Sequence, residues 1–136
     1  MIENQYLTRI YYRDIDQMGV VYYSRYFEYF EAARTELLRS IGLEVPLIEQ
    51  QGYYLPVVSA HCDYHRSAQF DDEITIVSRI DSFTGARLRI DYQATLISDD
   101  QLLVSGYTEH CFTDKDGKAI RPPGFFRSQI REHLNV

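Results

Sequence analysis

Ser24-Arg25-Tyr26-Phe27-Glu28-Tyr29-Phe30-Glu31-Ala32-Ala33-Arg34-Thr35-Glu36-Leu37-Leu38-Arg39-Ser40-Ile41-Gly42 reads as one long helix. Tyr26, Phe30, Ala33, Leu37 and Ile41 recur at steps of four and three, which sets them on one helical face. Glu28, Glu31, Arg34 and Arg39 lie largely off that stripe, and Glu31 and Arg34 are spaced to pair. Ser24 is placed to cap the N-terminus and Gly42 to close the C-terminus. Residues 24–41 at about 1.5 Å each make a helix of roughly 27 Å. That is long for a chain of 136 residues, so the helix is expected at the centre with a sheet laid against it.

Outward from the helix the chain is mostly strand-like. Tyr6 to Arg13 is rich in β-branched and aromatic residues and precedes it. After a connection containing Pro46, Gly52 and Pro56 come four runs, about Val57 to His65, Glu73 to Phe83, Ala86 to Ile97 and Leu102 to Thr113. The third is the clearest. Ala86, Leu88, Ile90, Tyr92, Ala94 and Leu96 alternate with Arg87, Arg89, Asp91, Gln93 and Thr95, as in a half-buried antiparallel strand. Thr84-Gly85, Ser98-Asp99-Asp100 and Asp116-Gly117 are turns, and the short links imply a meander. Pro122-Pro123-Gly124 ends the regular part and leaves a short, polar tail. Residues 1–136 are thus one α+β domain whose curved antiparallel sheet buries its apolar face on the helix. Open sheet edges and many Tyr point toward self-association.

Composition excludes several classes. The formal net charge of −6 disfavours nucleic acid as a partner. No apolar run approaches the ~20 residues of a membrane helix. Met1 to Gln5 has neither a basic nor an apolar leader region, and Cys62 and Cys111 lack metal or redox spacing, so a cytoplasmic protein with reduced thiols is expected. His61, His65, His110 and His133 show no metal-ligand spacing. Neither a Gly-x-Ser-x-Gly elbow nor a Gly-rich phosphate loop occurs.

The chemistry concentrates in Asp14-Ile15-Asp16-Gln17-Met18-Gly19, just ahead of the helix. As a calcium loop it fails, because Met18 and Arg25 fall where oxygen ligands are needed. Read from the residues alone, the two carboxylates either cap a turn or act on a ligand. A helix N-terminus exposes unpaired N–H groups and partial positive charge. A carboxylate beside it creates a place where a carbonyl is polarised while being attacked.

The stretch Tyr12-Arg13-Asp14-Ile15-Asp16-Gln17-Met18-Gly19-Val20-Val21-Tyr22-Tyr23-Ser24-Arg25-Tyr26, continued by Phe30-Glu31-Ala32-Ala33-Arg34, resembles the 4-hydroxybenzoyl-CoA thioesterase family. That family includes the acyl-CoA thioesterases encoded beside bacterial Tol–Pal genes. Asp63-Tyr64-His65-Arg66-Ser67-Ala68-Gln69-Phe70-Asp71-Asp72 is similar to its second-strand segment. The resemblance implies a hotdog fold, a homodimer or homotetramer (a dimer of dimers) with acyl-CoA at subunit interfaces, and hydrolysis without metal or cofactor. It implies Asp16 as catalytic carboxylate, nucleophile or general base, and the Tyr23 backbone N–H as oxyanion donor. Arg25 stands where relatives often carry Asn. Glu31, Arg66 and Tyr26 are the candidate substrate-binding residues: Glu31 for the acyl pocket, Arg66 for CoA phosphates through its planar guanidinium. Asp14 is expected to orient the loop. The rivals are a non-catalytic acyl-CoA or acyl-carrier-protein binding module, which would not need Asp16, and a hydratase, disfavoured because residues 14–42 contain no His.

Overall fold

A computed structural model describes residues 1–134. The chain runs β1 (Ile2–Arg9), a 3-10 turn (Tyr12–Asp14), α1 (Arg25–Ser40), α2 (Val45–Gln50), β2 (Val57–Tyr64), β3 (Glu73–Ile80), β4 (Leu88–Leu96), β5 (Leu102–His110), β6 (Phe112–Thr113), β7 (Ala119–Ile120) and α3 (Gly124–Leu134). Five strands form one antiparallel sheet in the order β1-β3-β4-β5-β2, and β6 pairs with β7 apart from it.

The helix and the sheet face find each other as the spacing predicts. Tyr26, Phe30, Ala33, Leu37 and Ile41 are all buried, as are Leu88, Ile90, Tyr92 and Ala94 of β4. Phe30 stacks flat on Tyr92, with ring centroids 4.3 Å apart. Such a contact adds about 1 kcal/mol to what burial alone contributes. Gly106 of β5 lies under the same ring: a Cβ there would stand 3.1 Å from Phe30 and far closer to the His61 carbonyl of β2. Gly42 has φ +79, the left-handed conformation that closes α1.

Three expectations change. The first strand occupies Ile2–Arg9, not Tyr6 to Arg13, and residues 12–14 turn instead of extending. The meander holds only for β3, β4 and β5; β2 crosses the sheet and pairs with β5 at the far edge. The C-terminal tail is not an irregular polar extension but α3, which buries Phe126 and Ile130. A second short helix, α2, interrupts the connection after α1, with Pro46 in its first turn, where a missing N–H costs nothing. Among the described residues no helix is long and apolar enough to cross a membrane.

Candidate active site

Residues 15–21 double back as a tight hairpin between the 3-10 turn and α1. The Asp16 N–H donates to the Val20 carbonyl at 2.9 Å, and the Gly19 N–H to the Asp16 carbonyl at 3.0 Å. Gly19 has φ +80, the conformation this turn needs and that a side chain would resist. The hairpin is strapped on both sides: the Val21 N–H donates to the Ala68 carbonyl, and the Tyr22 N–H to the Asp14 carbonyl, each at 2.9 Å. The second strap fixes the loop that carries Asp16 against the start of α1.

Asp16 is half-buried. Its Oδ1 accepts the Met18 N–H at 2.8 Å, with a longer contact to the Val20 N–H at 3.5 Å. Oδ2 accepts no hydrogen bond from the described residues. One carboxylate oxygen is therefore anchored and the other left open. Beside it, Tyr22 has its hydroxyl pKa raised by hydrogen bonding and charge coupling to Tyr23, with a further push from the Asp16 carboxylate.

The helix start is bare in a useful way. Ser24 makes no side-chain cap bond, so that expectation is not met; it already has helical φ and ψ. The Arg25 N–H donates to the Tyr22 carbonyl at 2.9 Å, and the Phe27 N–H to the Ser24 carbonyl at 3.2 Å. The Tyr23 N–H has no acceptor among the described residues. Its own carbonyl accepts the Tyr64 hydroxyl at 2.9 Å.

Asp14 lies behind this surface, 5% exposed. Its Oδ2 accepts the Tyr11 N–H at 2.8 Å, and Oδ1 stands 3.9 Å from Arg25. Arg25 also donates to the Arg13 carbonyl at 3.1 Å and pairs with Glu28, so it ties the loop to the first turn of α1. The Tyr29 hydroxyl is buried without a hydrogen-bond partner among the described residues; burial raises its pKa, and the Asp14 carboxylate adds to that.

The expected binding residues scatter. Tyr26 is 2% exposed and enclosed by Tyr29 and Tyr64, so it backs the site and presents little surface. Burial pushes its hydroxyl pKa up to about 12. Arg66 is exposed in the loop after β2 and already pairs with Asp99 at 3.3 Å. Glu31 is exposed and does not pair with Arg34; both line two adjoining hollows instead. The larger, about 350 Å³, is walled by Leu38, Ile48, Leu88, Ile90 and His110. The smaller, about 250 Å³, runs between Phe27 on α1 and Val57 and Ala60 on β2. The sequence points to open sheet edges in general and to Tyr64 as part of a second-strand motif; that β2 is an edge strand and that its Tyr64 meets Tyr23 are set by the fold.

Residues 11–130 match the model of the thioesterase-like superfamily. The chain belongs to that superfamily. As a thioesterase-superfamily member it is 35% identical over 91 residues to the acyl-CoA thioesterase YbgC of Haemophilus influenzae, covering 65% of this chain and 67% of that one. It is 31% identical over 102 residues to the acyl-CoA thioester hydrolase YbgC of Escherichia coli O6:H1, covering 71% and 76%. Its fold superposes on the DHNA-CoA thioesterase of Staphylococcus aureus with a TM-score of 0.91 at 24% identity, covering 100% of this chain and 91% of that one. The fold is the hotdog fold, with its antiparallel sheet laid on α1.

Proposed function

We propose that this superfamily member hydrolyses acyl-CoA thioesters, with Asp16 as the reacting carboxylate and the Tyr23 N–H as the donor to the thioester carbonyl. The observation that carries this reading is a loop strapped to the start of α1 through the Tyr22 N–H and the Asp14 carbonyl, in which one Asp16 oxygen is anchored and the other open, while the Tyr23 N–H has no acceptor among the described residues. The similarity to acyl-CoA thioesterases supports the substrate class.

The thioester carbonyl oxygen takes the Tyr23 N–H, where the helix terminus favours developing negative charge. By one route the open Asp16 oxygen bonds to the carbonyl carbon, CoA leaves as its thiolate, and water cleaves the mixed anhydride. By the other, Asp16 takes a proton from water as that water attacks. Both end in a carboxylic acid and free CoA. Glu31 is assigned to the acyl pocket that lies along α1. Arg66 is assigned to the CoA phosphates, exchanging its exposed partner Asp99 for a phosphate. Tyr26 is assigned to the pocket wall through Tyr64. A homo-oligomer fits the outer edge of β2, which pairs with no strand among the described residues, and would enclose the groove between α1 and that strand.

The test is Asp16→Asn in the full chain, assayed by free-thiol release over a panel of acyl-CoAs. Turnover should fall by about 1,000-fold or more with the melting temperature nearly unchanged. Near-normal turnover of a good substrate by this variant would overturn the assignment. Tight acyl-CoA binding with no turnover by the wild type would make the chain a binding module.

A further inference from the structure

We infer that Tyr12 and Phe70 form a stacking corner for the adenine of CoA, with Arg13 beside it for the 3′-phosphate; this rests on the acyl-CoA reading given above. Both rings stand largely in water, Tyr12 75% exposed and Phe70 51%. They meet edge to face, with centroids 5.7 Å apart and planes at 77°. A flat base lying on one ring therefore meets the other with its edge, and both are favoured aromatic contacts. Neighbouring apolar rings in water are surface that a ligand gains by covering. Every base has a face to stack on them.

The corner belongs to the two segments that flank the Asp16 hairpin. Tyr12 opens the 3-10 turn that leads into it, and Phe70 follows Gln69, which bridges to Val20. The turn that presents Phe70 is braced. Asp71 has φ +73, a conformation that side chains resist. Its N–H donates to the Ile10 carbonyl at 2.9 Å, and the Ile10 N–H to the Asp72 carbonyl at 2.8 Å. The Asp72 carboxylate accepts the Gln69 N–H at 2.8 Å. An exposed Phe on a strained, cross-tied turn is preorganised for a partner. Charge points the same way. Arg9, Arg25 and Arg66, around the hairpin, each pair with a carboxylate. Arg13 pairs with none among the described residues, and its guanidinium lies over the Tyr11 ring at 5.0 Å. A phosphate suits that free guanidinium. Arg66 keeps the diphosphate. It lies in the same loop as Phe70, four residues earlier, so their backbones are at most about 14 Å apart, a gap that a nucleoside diphosphate spans.

Phe70→Ala, Tyr12→Ala, Tyr12→Phe and Arg13→Met are compared with wild type and Asp16→Asn. The substrates are benzoyl-CoA, its 3′-dephospho form, and S-benzoyl-pantetheine, which has no nucleotide. Wild type should favour the CoA ester over the pantetheine ester in kcat/KM. Each Ala variant should raise KM for benzoyl-CoA about tenfold, with kcat changed less than about twofold. It should leave kcat/KM for the pantetheine ester at the wild-type value, which a merely structural role does not predict. Tyr12→Phe keeps the ring and should recover most of the loss. Arg13→Met should raise KM for benzoyl-CoA about fivefold, and not for the 3′-dephospho ester. Equal losses on the CoA and pantetheine esters assign the pair to loop packing and overturn the inference. Unchanged KM for benzoyl-CoA in both Ala variants overturns it too. So does a smaller assembly by light scattering, which makes the corner a contact between copies. In each case a dead Asp16→Asn beside an active wild type leaves the Asp16 assignment standing. Normal turnover by Asp16→Asn, or a wild type inert to the whole acyl-CoA panel, sinks both readings.

Discussion

The His110 Nδ1 lies 3.0 Å from the Leu55 carbonyl oxygen, joining the end of β5 to the segment that leads into β2. A carbonyl only accepts, so Nδ1 carries the proton and Nε2 is left to accept from the Thr108 hydroxyl at 2.9 Å. The Tyr92 hydroxyl completes the run by donating to Thr108 at 2.7 Å. A neutral imidazole satisfies every member; a protonated one would leave Thr108 without its acceptor.

Stability should therefore depend on this ring in acid. Burial is the main cause that holds the His110 pKa down to about 4, with Arg34 adding to it. The unfolded imidazole takes its proton near its ordinary pKa of about 6.5. Between those two values the unfolded chain binds the extra proton, so stability falls as pH drops through that window and is unaffected by this group above it. The contribution is at most about 1.4 kcal/mol per pH unit. Urea unfolding of wild type and His110→Gln at pH 7, 6 and 5 checks this. The variant should be weaker at pH 7, and the gap should narrow toward pH 5; a constant gap would contradict it.

Asp14 should separate charge from hydrogen bonding. Asp14→Asn keeps an oxygen for the Tyr11 N–H, whereas Asp14→Ala leaves that donor without its acceptor, at a cost of about 1–3 kcal/mol. Because the same residue's carbonyl straps Tyr22, loosening it should also lower kcat, with Ala falling further than Asn. Thermal melts and thiol-release kinetics on the pair give both orders.

Gly106→Ala should be the most damaging single-methyl change. The added Cβ would lie 2.2 Å from the His61 backbone oxygen, and backbone cannot rotate away as a side chain does. The expected loss is about 3 kcal/mol, a fall in melting temperature of about 10 °C. Differential scanning calorimetry would show it, and a change under about 2 °C would contradict so close an approach of β2 to Gly106.

Val58→Glu addresses the open strand edge. Val58 is 45% exposed on β2, whose outer side bonds no strand among the described residues. A carboxylate there should block pairing with a second copy. Light scattering coupled to size exclusion should show a smaller species than wild type, with turnover falling alongside it. A monomeric wild type with full activity would rule out the oligomer.

What the sequence made legible were the elements whose reading is local. β4 alternates without a break, and α1 repeats its apolar residues on one face, so each names its buried side by itself. The Asp16 hairpin was readable as a motif because it lies within one short span. Strand order was not readable, since nothing in Val57–Tyr64 says that β2 skips β3 and joins β5. The pattern in α3 was present: Phe126, Ile130 and Leu134 recur at steps of four, but Pro122-Pro123-Gly124 read as an ending, not as a helix start. The Glu31–Arg34 pair followed from spacing alone, and spacing does not say that the guanidinium turns into a hollow. Tyr64 could not be found from its neighbours, because its partner is set by the crossing of β2 over the sheet.

That crossing also imposes a timetable on the molecule. Both edge strands are made early, yet β2 pairs with β5 and β1 with β3, each made much later. Pairings this remote in sequence form slowly, well after a helix such as α1 can appear. A refolding chain should thus regain helical ellipticity first and turnover only when the last edge zips shut, so that enzymatic activity serves as a clock for completion of the sheet.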